Sequence, residues 1–293
     1  MNRLEPGFAP CAACGGTNFV VVRRSKGTRG GDVYSSSSNA RLVSQLAACS
    51  SCRLIGVNPR PSSEDLVDAY SGAVDEVHGG DSERRIRSFE RALNSVLNEL
   101  PSIRHETFGY IVDIGCASGE FPEAARRMGF EVTGYELSRY LSAQARQKYG
   151  VDVRTGPFEP GDFTSRKIDL VTMWDVLEHI ESPDEVLTAI KSSLKDGGYL
   201  LLNLPMIDTF SARVFRRLWP FYLEVHLHYF TMSTIKILLK RHNFEIIYSK
   251  SYTQTLGSRY LVRRATAGRL TRFPFDVPIP YRLGQRTIVA KLL

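Results

Sequence analysis

The sequence predicts an α/β fold in which a parallel sheet is covered on both faces by helices and is preceded by a small cysteine-rich module. Three observations support this prediction. From residue 110 onward, short apolar runs alternate with segments of helical period, and this alternation is typical of a parallel sheet. A glycine-rich turn follows the first of these strands, as in many ligand-binding α/β sheets. Four of the five cysteines form two Cys-x-x-Cys pairs before residue 60.

The predicted elements alternate along the chain. Strands are expected at residues 110–114, 131–135, 151–154, 168–173, 199–204, 244–251 and 285–292, and helices at 62–70, 81–100, 121–128, 139–149, 183–194 and 231–242. We therefore divide the chain into a cysteine module at 1–60, a helical linker and lid at 61–107 and an α/β domain at 108–293.

The charge of the chain is concentrated toward its C-terminus. The 293 residues carry a formal net charge of +7, yet residues 206–293 alone contain 15 Lys and Arg against four Asp and Glu. Such a basic region serves as a solvated face, or it attracts a phosphate-bearing substrate, an anionic membrane surface or a nucleic acid. The sequence leaves these alternatives open.

The sequence contains no apolar run of the length that crosses a bilayer, since a spanning helix needs about 18 such residues. The N-terminus also lacks the basic start and apolar stretch of a signal peptide. We expect a cytoplasmic protein without a transmembrane segment, with peripheral contact at the inner membrane surface as an alternative. The oligomeric state stays open.

The two cysteine pairs predict a structural metal site. Cys11 and Cys14 form the first pair, and Cys49 and Cys52 follow with 34 residues between the pairs. Four thiolates in this arrangement bind Zn²⁺ tetrahedrally and leave no open position for catalysis. A 60-residue module with few large apolar side chains depends on such a metal for its folding free energy. We therefore expect a zinc ribbon with four cysteine ligands.

The glycine-rich turn is predicted to bind a cofactor. It contains Asp113, Gly115, Ala117 and Gly119 between a strand and a helix, where small residues let a ligand approach the backbone. Glu136 ends the next strand, about 20 residues later, and a carboxylate there suits the two hydroxyls of a ribose. A nicotinamide enzyme would more often carry Gly-x-Gly-x-x-Gly, and the spacing here differs.

These residues resemble motif I and the ribose-binding acid of class I S-adenosylmethionine-dependent methyltransferases. The resemblance covers about residues 105–205 and departs from the family at Ala117, where many members have glycine. It implies a Rossmann-like sheet of seven strands, with a turn that holds the methionine end of the cofactor. The implied cofactor-binding set comprises Asp113, Gly115, Cys116, Ala117, Gly119, Glu136 and Leu137.

Two aromatic residues near the strand ends are candidates for contact with adenine. Trp174 lies at the carboxyl end of the predicted strand 168–173, and Phe158 follows the strand 151–154. Stacking on adenine from both sides or at the rim would use both rings. The alternative for each is packing in the core.

Asp175, Glu178 and His179 form the main catalytic candidate. If a helical turn begins at Asp175, the spacing places all three side chains on one face. Such a set can hold a divalent cation, or His179 alone can act as a general base. The segment resembles that of ubiquinone-pathway O-methyltransferases, which implies a Mg²⁺ site, and also that of deoxysugar C-methyltransferases. The alternative is a hydrogen-bonding role that shapes the loop.

Residues 206–232 are expected to form a substrate-binding insertion. His226 and His228 alternate within His-Leu-His-Tyr-Phe-Thr, so on a strand both would face one side. This segment resembles one beside the substrate cavity in the same methyltransferase group. Arg213, Arg216 and Arg217 precede Trp219, and basic residues beside aromatic ones suit a membrane interface, a lipid-phosphate carrier or a nucleic acid.

We interpret the chain as a methyltransferase that acts on a hydroxyl of a small-molecule or lipid-linked acceptor, such as a sugar, a lipid-linked glycan or a quinol. C-methylation of a sugar is one alternative, but the enzymes of that kind that this chain resembles carry a further C-terminal domain. Methylation of rRNA or tRNA is another, in which the zinc module and the basic tail would grip RNA.

Overall fold

The computed structural model describes residues 8–25, 44–72, 81–100, 109–163, 167–259, 262 and 275–293. The N-terminal module contributes β1 (Phe19–Arg23), β2 (Leu46–Cys49) and β3 (Ile55–Val57). Two helices, α1 (Ser63–Ser71) and α2 (Ser82–Glu99), lead to the main domain. The helices and strands of that domain up to β8 are β4 (Tyr110–Ile114), α3 (Glu120–Arg127), β5 (Glu131–Glu136), α4 (Arg139–Tyr149), β6 (Asp152–Thr155), β7 (Ile168–Trp174), α5 (Pro183–Ser193) and β8 (Leu194–Pro205).

The remaining elements are α6 (Phe210–Phe215), β9 (His228–Tyr229), α7 (Met232–Arg241), β10 (Phe244–Ser251), β11 (Gln254–Gly257), β12 (Pro278–Tyr281) and β13 (Gln285–Leu292). Seven strands form the main sheet in the order β10-β13-β8-β7-β4-β5-β6. β13 runs antiparallel to both of its neighbours, whereas β4 to β8 are parallel. The predicted seven-stranded sheet is confirmed.

Helices cover both faces of this sheet, because successive side chains of a strand point to opposite sides. Val112 and Ile114 of β4 pack into a core with α5 and α7. Ile111 packs on the other side, with α2 and α3. All five residues of β4 are buried, as expected of a central strand in a parallel sheet. The ligand-binding edge therefore lies where β4, β7 and β8 end between these two layers.

The cysteine module is joined to the main domain by backbone pairing. β3 pairs antiparallel with β9, with Ile55 opposite Tyr229 and Gly56 opposite His228, so the predicted insertion supplies the fourth strand of the module's sheet. A Cβ at Gly56 would lie 2.8 Å from the carbonyl oxygen of Leu227. The close approach of these strands therefore requires glycine at this position.

Two arginines reinforce the junction. Arg60 Nη2 donates to the carbonyl of Pro10 at 2.7 Å, and its Nη1 donates to the carbonyl of Glu181. At the end of α7, Arg241 Nη1 donates to the carbonyl of Ala13 at 3.0 Å.

The domain bounds 1–60, 61–107 and 108–293 stay a prediction. Within the described ranges, no helix is long and apolar enough to cross a membrane.

Candidate functional site

The turn after β4 has a left-handed backbone at three positions. Gly115 has φ +74°, and a Cβ there would lie 2.5 Å from Cγ2 of Val176. Ala117 also adopts a positive φ, +46°, and Gly119 at +86° precedes α3. The left-handed region is costly for residues with a Cβ. At Ala117 the surrounding contacts therefore offset the conformational cost of a left-handed backbone. At Gly115 only glycine fits, because a Cβ would clash with Val176.

Gly115→Ala is expected to destabilise the protein by about 3 kcal/mol, since a strained backbone and a clash with Val176 each cost on the order of 1–3 kcal/mol. The measurement is the free energy of unfolding in urea. Gly150→Ala is the matched control: its φ is +65°, but an added Cβ would meet nothing within 4 Å. We expect that variant to lose only about 1 kcal/mol. Equal losses in the two variants would show that Val176 does not restrict the turn.

A buried carboxylate, Asp113, and a half-buried one, Glu136, flank the turn. Asp113 is 1% exposed and accepts a hydrogen bond from the Thr172 hydroxyl at 2.6 Å, and burial raises its pKa well above the usual value. Glu136 accepts from the backbone N–H of Ala117 at 2.9 Å and from that of Ser138 at 2.8 Å. Burial raises the pKa of Glu136, and these N–H donors oppose the rise. Glu136 is therefore fixed beside the turn, and Leu137 follows it directly.

A cavity with an empty volume of about 450 Å³, part of it open to solvent, lies at the ends of β4, β7 and β8. Its wall includes the predicted residues Asp113, Gly115, Cys116, Ala117, Trp174 and Asp175. It also includes Arg85, Phe89, Glu120, Phe121, Asn203, Tyr252 and Gln254, which no motif in the sequence singles out. Among the described residues, Gly119, Glu136, Leu137 and Phe158 are not part of this wall.

Trp174 lies in an aromatic cluster at one side of the cavity. Its ring centroid is 4.9 Å from that of Phe89, 5.2 Å from that of Phe121 and 5.6 Å from that of Tyr252. Phe158 instead packs edge-on against Tyr135, with 5.3 Å between the centroids, on the opposite face of the sheet. The structure therefore does not bring Trp174 and Phe158 together, and contact of either ring with adenine stays a prediction.

The predicted helical turn starting at Asp175 is wrong. Asp175 has φ +55°, and a short 3-10 helix forms only at Leu177–His179. Asp175 consequently points into the cavity, where its carboxylate accepts from Asn203 Nδ2 at 3.2 Å and from Gln285 Nε2 at 2.5 Å. Asp175 is therefore not part of the ligand group that Glu178 and His179 form.

Glu178 and His179 form a second, buried group with His226. One potential ligand atom from each of the three lies within 4.8 Å of the other two. Glu178 is fully buried, both of its carboxylate oxygens lack a hydrogen-bond partner among the described residues, and burial, followed by the charge of Asp175, raises its pKa well above the usual value. His179 Nδ1 lies 3.0 Å from both the Tyr70 hydroxyl and the carbonyl oxygen of Val225.

His228 has different surroundings from His226, and only His228 lies on β9. Its Nε2 is 3.0 Å from the carbonyl of Ile180 and 3.4 Å from Arg60 Nη1. Burial, together with the charge of Arg60, lowers the pKa of His228 to about 3. The expectation that both histidines face one side of a strand is therefore wrong. His226 belongs to the group with Glu178, and His228 to the junction with the cysteine module.

The four predicted ligand cysteines converge. Cys11 Sγ lies 3.4 Å from Cys52 Sγ, Cys14 Sγ lies 3.6 Å from Cys49 Sγ, and all four sulfurs are within 4.8 Å of one another. Thiolates in a tetrahedral zinc site are about 3.8 Å apart, given a Zn–S distance of about 2.3 Å. Burial raises the pKa of Cys11 and that of Cys52. At Cys49, hydrogen bonds from neighbouring N–H and thiol groups together outweigh burial and lower the pKa to about 7. The four cysteines fit a zinc ion.

These features together define a class of enzyme. The seven-stranded sheet, the glycine-rich turn after β4 and the acid at the end of β5 are those of S-adenosylmethionine-dependent methyltransferases. Residues 83–249, more than half of the chain, match the methyltransferase domain family, and the chain belongs to that family. The match begins within α2, the helix that contributes Arg85 and Phe89 to the cavity wall.

Characterised relatives share part of this domain. A ubiquinone biosynthesis O-methyltransferase of Xanthomonas euvesicatoria pv. vesicatoria is 36% identical over 124 residues, which cover 38% of this chain and 50% of the relative. A protein of the same description from Xanthomonas axonopodis pv. citri is 34% identical over 119 residues, with the same coverage. The chain spans about half the length of the curated relatives it matches.

Solved structures resemble it more distantly. The magnesium protoporphyrin IX methyltransferase of Synechocystis PCC 6803, with bound cofactor, shares 16% identity and a TM-score of 0.49 over 80% of this chain and 99% of that one. A methyltransferase of Haloferax volcanii, in complex with its activator, shares 15% identity and a TM-score of 0.49 over 75% of this chain and 99% of that one.

Proposed function

We propose that this methyltransferase transfers the methyl group of S-adenosylmethionine to a hydroxyl of a small-molecule acceptor, of the quinol or sugar kind. The observation that carries the proposal is the carboxylate of Asp175, which Asn203 and Gln285 hold in the cavity wall. The buried group of Glu178, His179 and His226 lies outside that wall, as far as the described residues show. A carboxylate fixed in the cavity wall suits the removal of a proton from a hydroxyl. The O-methylation named in the Xanthomonas relatives supports the same reaction, for a chain that spans half of their length.

The cofactor would lie along the turn after β4. Glu136 would accept hydrogen bonds from the ribose hydroxyls, and the turn 115–119 would approach the methionine portion. Arg85 is the only cationic side chain in the cavity wall as far as the described residues show. We assign it to the cofactor's carboxylate, because a guanidinium binds a carboxylate through paired hydrogen bonds. Asp113 lies on the same wall, where it would receive the cofactor's ammonium group.

Glu178, His179 and His226 would hold a divalent cation. A fully buried carboxylate without a hydrogen-bond partner is costly unless a cation balances it, and two imidazoles complete a set of three ligands. Nitrogen ligands favour Mn²⁺, Fe²⁺ or Zn²⁺ over Mg²⁺, which prefers oxygen. The Mg²⁺ expectation from sequence stays untested.

Three further groups of side chains would have separate roles in the reaction. Asp175 is held by Asn203 and Gln285 in the cavity wall, and its carboxylate is placed to accept the proton of the acceptor hydroxyl. The aromatic cluster around Trp174 would exclude water from the methyl group in transit. The four-cysteine site would hold Zn²⁺ in a structural role and, through the pairing of β3 with β9, position the segment that carries His226.

The proposal is tested by release of S-adenosylhomocysteine in the presence of a panel of acceptors. The panel contains catechols and quinols, their O-methylated products, nucleotide sugars and a short RNA. We expect turnover with one hydroxylated small molecule and none with its O-methyl ether, because the reacting oxygen is blocked. Turnover with the RNA alone, or methylation at carbon, would replace O-methylation of a small molecule as the function.

Glu178→Gln is expected to abolish stabilisation by Mn²⁺. For the unsubstituted protein we expect Mn²⁺ to add about 3 kcal/mol of unfolding free energy at a hundredfold excess over its Kd. The variant should gain nothing from Mn²⁺, whereas Zn²⁺ should still stabilise it through the four cysteines. The measurement is thermal unfolding of the chelator-treated protein, with and without each cation.

Glu185→Gln provides the control, since Glu185 is an exposed carboxylate on α5. It should respond to the cation as the unsubstituted protein does. Calorimetry with S-adenosylhomocysteine should give equal affinities for all three proteins, which separates the cation from the cofactor. A Glu178→Gln variant that Mn²⁺ still stabilises would contradict the assignment.

A further inference from the structure

The short helix α6 and the turn after it expose large apolar side chains. Phe210 is 82% exposed, Leu218 77%, Val214 55% and Phe215 44%. Arg213 and Arg216 are exposed among them. We call these six residues the α6 surface. Single exposed apolar side chains are ordinary, but four of them within nine residues mark a surface that contacts something.

Buried, packed residues lie directly beneath the α6 surface. Trp219 is 2% exposed, its Nε1 donates to the carbonyl of Leu283 at 2.8 Å, and its ring packs against Phe221 with 5.2 Å between the centroids. Ala212 is buried in the same cluster and anchors the inner side of α6. The exposed side chains are therefore presented by packed residues beneath them.

The charge around this surface identifies the chemistry of its partner. Residues 209–222 contain three arginines and no acidic residue. Apolar side chains that project beside arginines fit the boundary between lipid headgroups and acyl chains, where the apolar groups insert and the guanidinium groups meet phosphates. The outward projection of Phe210 and Leu218 suits insertion into a fluid layer.

The α6 surface also lies at the ligand-binding edge of the sheet. α6 follows the carboxyl end of β8 after a turn of four residues, and Asn203 near that end lines the cofactor cavity. We propose that the α6 surface docks on an anionic lipid bilayer, with Phe210 and Leu218 inserted and Arg213 and Arg216 on lipid phosphates. Docking in this way would turn the edge that carries the cavity toward the membrane.

The test is cosedimentation of the purified protein with vesicles of phosphatidylcholine, alone or with added phosphatidylglycerol. We expect binding to the mixed vesicles that weakens at high salt, because phosphate contacts are screened. Phe210→Ser/Leu218→Ser should lower this binding about tenfold or more. Arg213→Gln/Arg216→Gln should lower it about tenfold as well and reduce its salt dependence.

Val20→Ser/Val22→Ser is the matched control. These two valines are 60% and 52% exposed on β1, away from α6, and their replacement should leave vesicle binding unchanged. All of the replaced side chains are exposed, so thermal unfolding should stay the same in every variant. The assay involves no methyl transfer, so its result is independent of the acceptor.

Three results would overturn the proposal. The first is a failure of the unsubstituted protein to sediment with the mixed vesicles, and the second is equal binding to neutral and anionic vesicles. The third is a dimer in solution that Phe210→Ser/Leu218→Ser converts to a monomer without any effect on vesicle binding. That last result would assign the α6 surface to a second copy of the chain.

Discussion

Glu136→Ala is expected to weaken the binding of S-adenosylhomocysteine about 100-fold, because a carboxylate contributes about 1.5 kcal/mol for each hydrogen bond to a ribose hydroxyl. The loss includes a second effect. The carboxylate of Glu136 also accepts the N–H of Ala117 at 2.9 Å, in a turn whose backbone is left-handed at that residue. Without this acceptor the turn loses a contact that holds it ready for the cofactor. Isothermal calorimetry measures the change in affinity directly.

The control for this variant is Glu131→Ala, since Glu131 is exposed at the opposite end of the same strand. Its affinity for the cofactor product should match that of the unsubstituted protein. Glu136→Gln separates the two effects, because an amide keeps the size of the side chain but loses the charge. If Glu136→Ala bound the product with unchanged affinity, the ribose would have to lie elsewhere and the assignment of Glu136 would fail.

The local periodicity of the sequence predicted most of the main domain. Strand β10 (Phe244–Ser251), strand β13 (Gln285–Leu292) and helix α4 (Arg139–Tyr149) have the predicted bounds. In each of these segments the apolar residues recur with the period of the element that forms. Local preference and burial in the folded protein therefore favour the same structure. The order of the strands was not predicted, because periodicity carries no information on which strands pair.

The backbone at Asp175 explains why part of the candidate site was predicted incorrectly. Spacing alone placed Asp175 on one helical face with Glu178 and His179, but its φ of +55° turns its side chain into the cavity instead. A non-glycine residue enters the left-handed region only when surrounding contacts hold it there. Asn203 and Gln285 supply those contacts from 28 and 110 residues away. No local pattern contains that information.

The sequence did not predict Arg85 and Phe89 as cavity residues, for a related reason. The sequence places both on a predicted helix before the domain, where the apolar face of α2 indicates packing but not its partner. In the structure, Phe89 contacts Trp174 and Phe121, which brings α2 against the cavity at the ends of β4, β7 and β8. A segment interpreted as a linker and lid thus supplies part of the cavity wall.

The cysteine pairs predicted the ligand cluster, because two Cys-x-x-Cys pairs satisfy one ion only if they converge. The attachment of the module was not predictable in the same way. Its third strand pairs with β9, and the two strands are about 170 residues apart in the chain. β9 has only two residues, too few for a periodic signal. The cysteine module and the segment with His228 therefore share one sheet.

Cys49→Ser is expected to remove bound zinc and to destabilise the protein by at least about 4 kcal/mol, because metal binding contributes directly to folding of the module. The pairing of Ile55 with Tyr229 and of Gly56 with His228 should transmit the damage to β9. Amide hydrogen exchange should therefore accelerate at residues 228 and 229 as well as in β1 to β3. Zinc content by atomic absorption and thermal unfolding complete the measurement.

Cys116→Ser is the matched control, since Cys116 is the fifth cysteine and lies in the cofactor turn, outside the ligand cluster. It should retain one zinc ion per chain and normal exchange at residues 228 and 229. If Cys49→Ser lost its zinc while β9 kept its protection, the ribbon would be an independent module and the main domain would hold the His226 segment unaided. If the protein bound no zinc before substitution, the four sulfurs would be a reduced cluster and the structural role of the metal would be wrong.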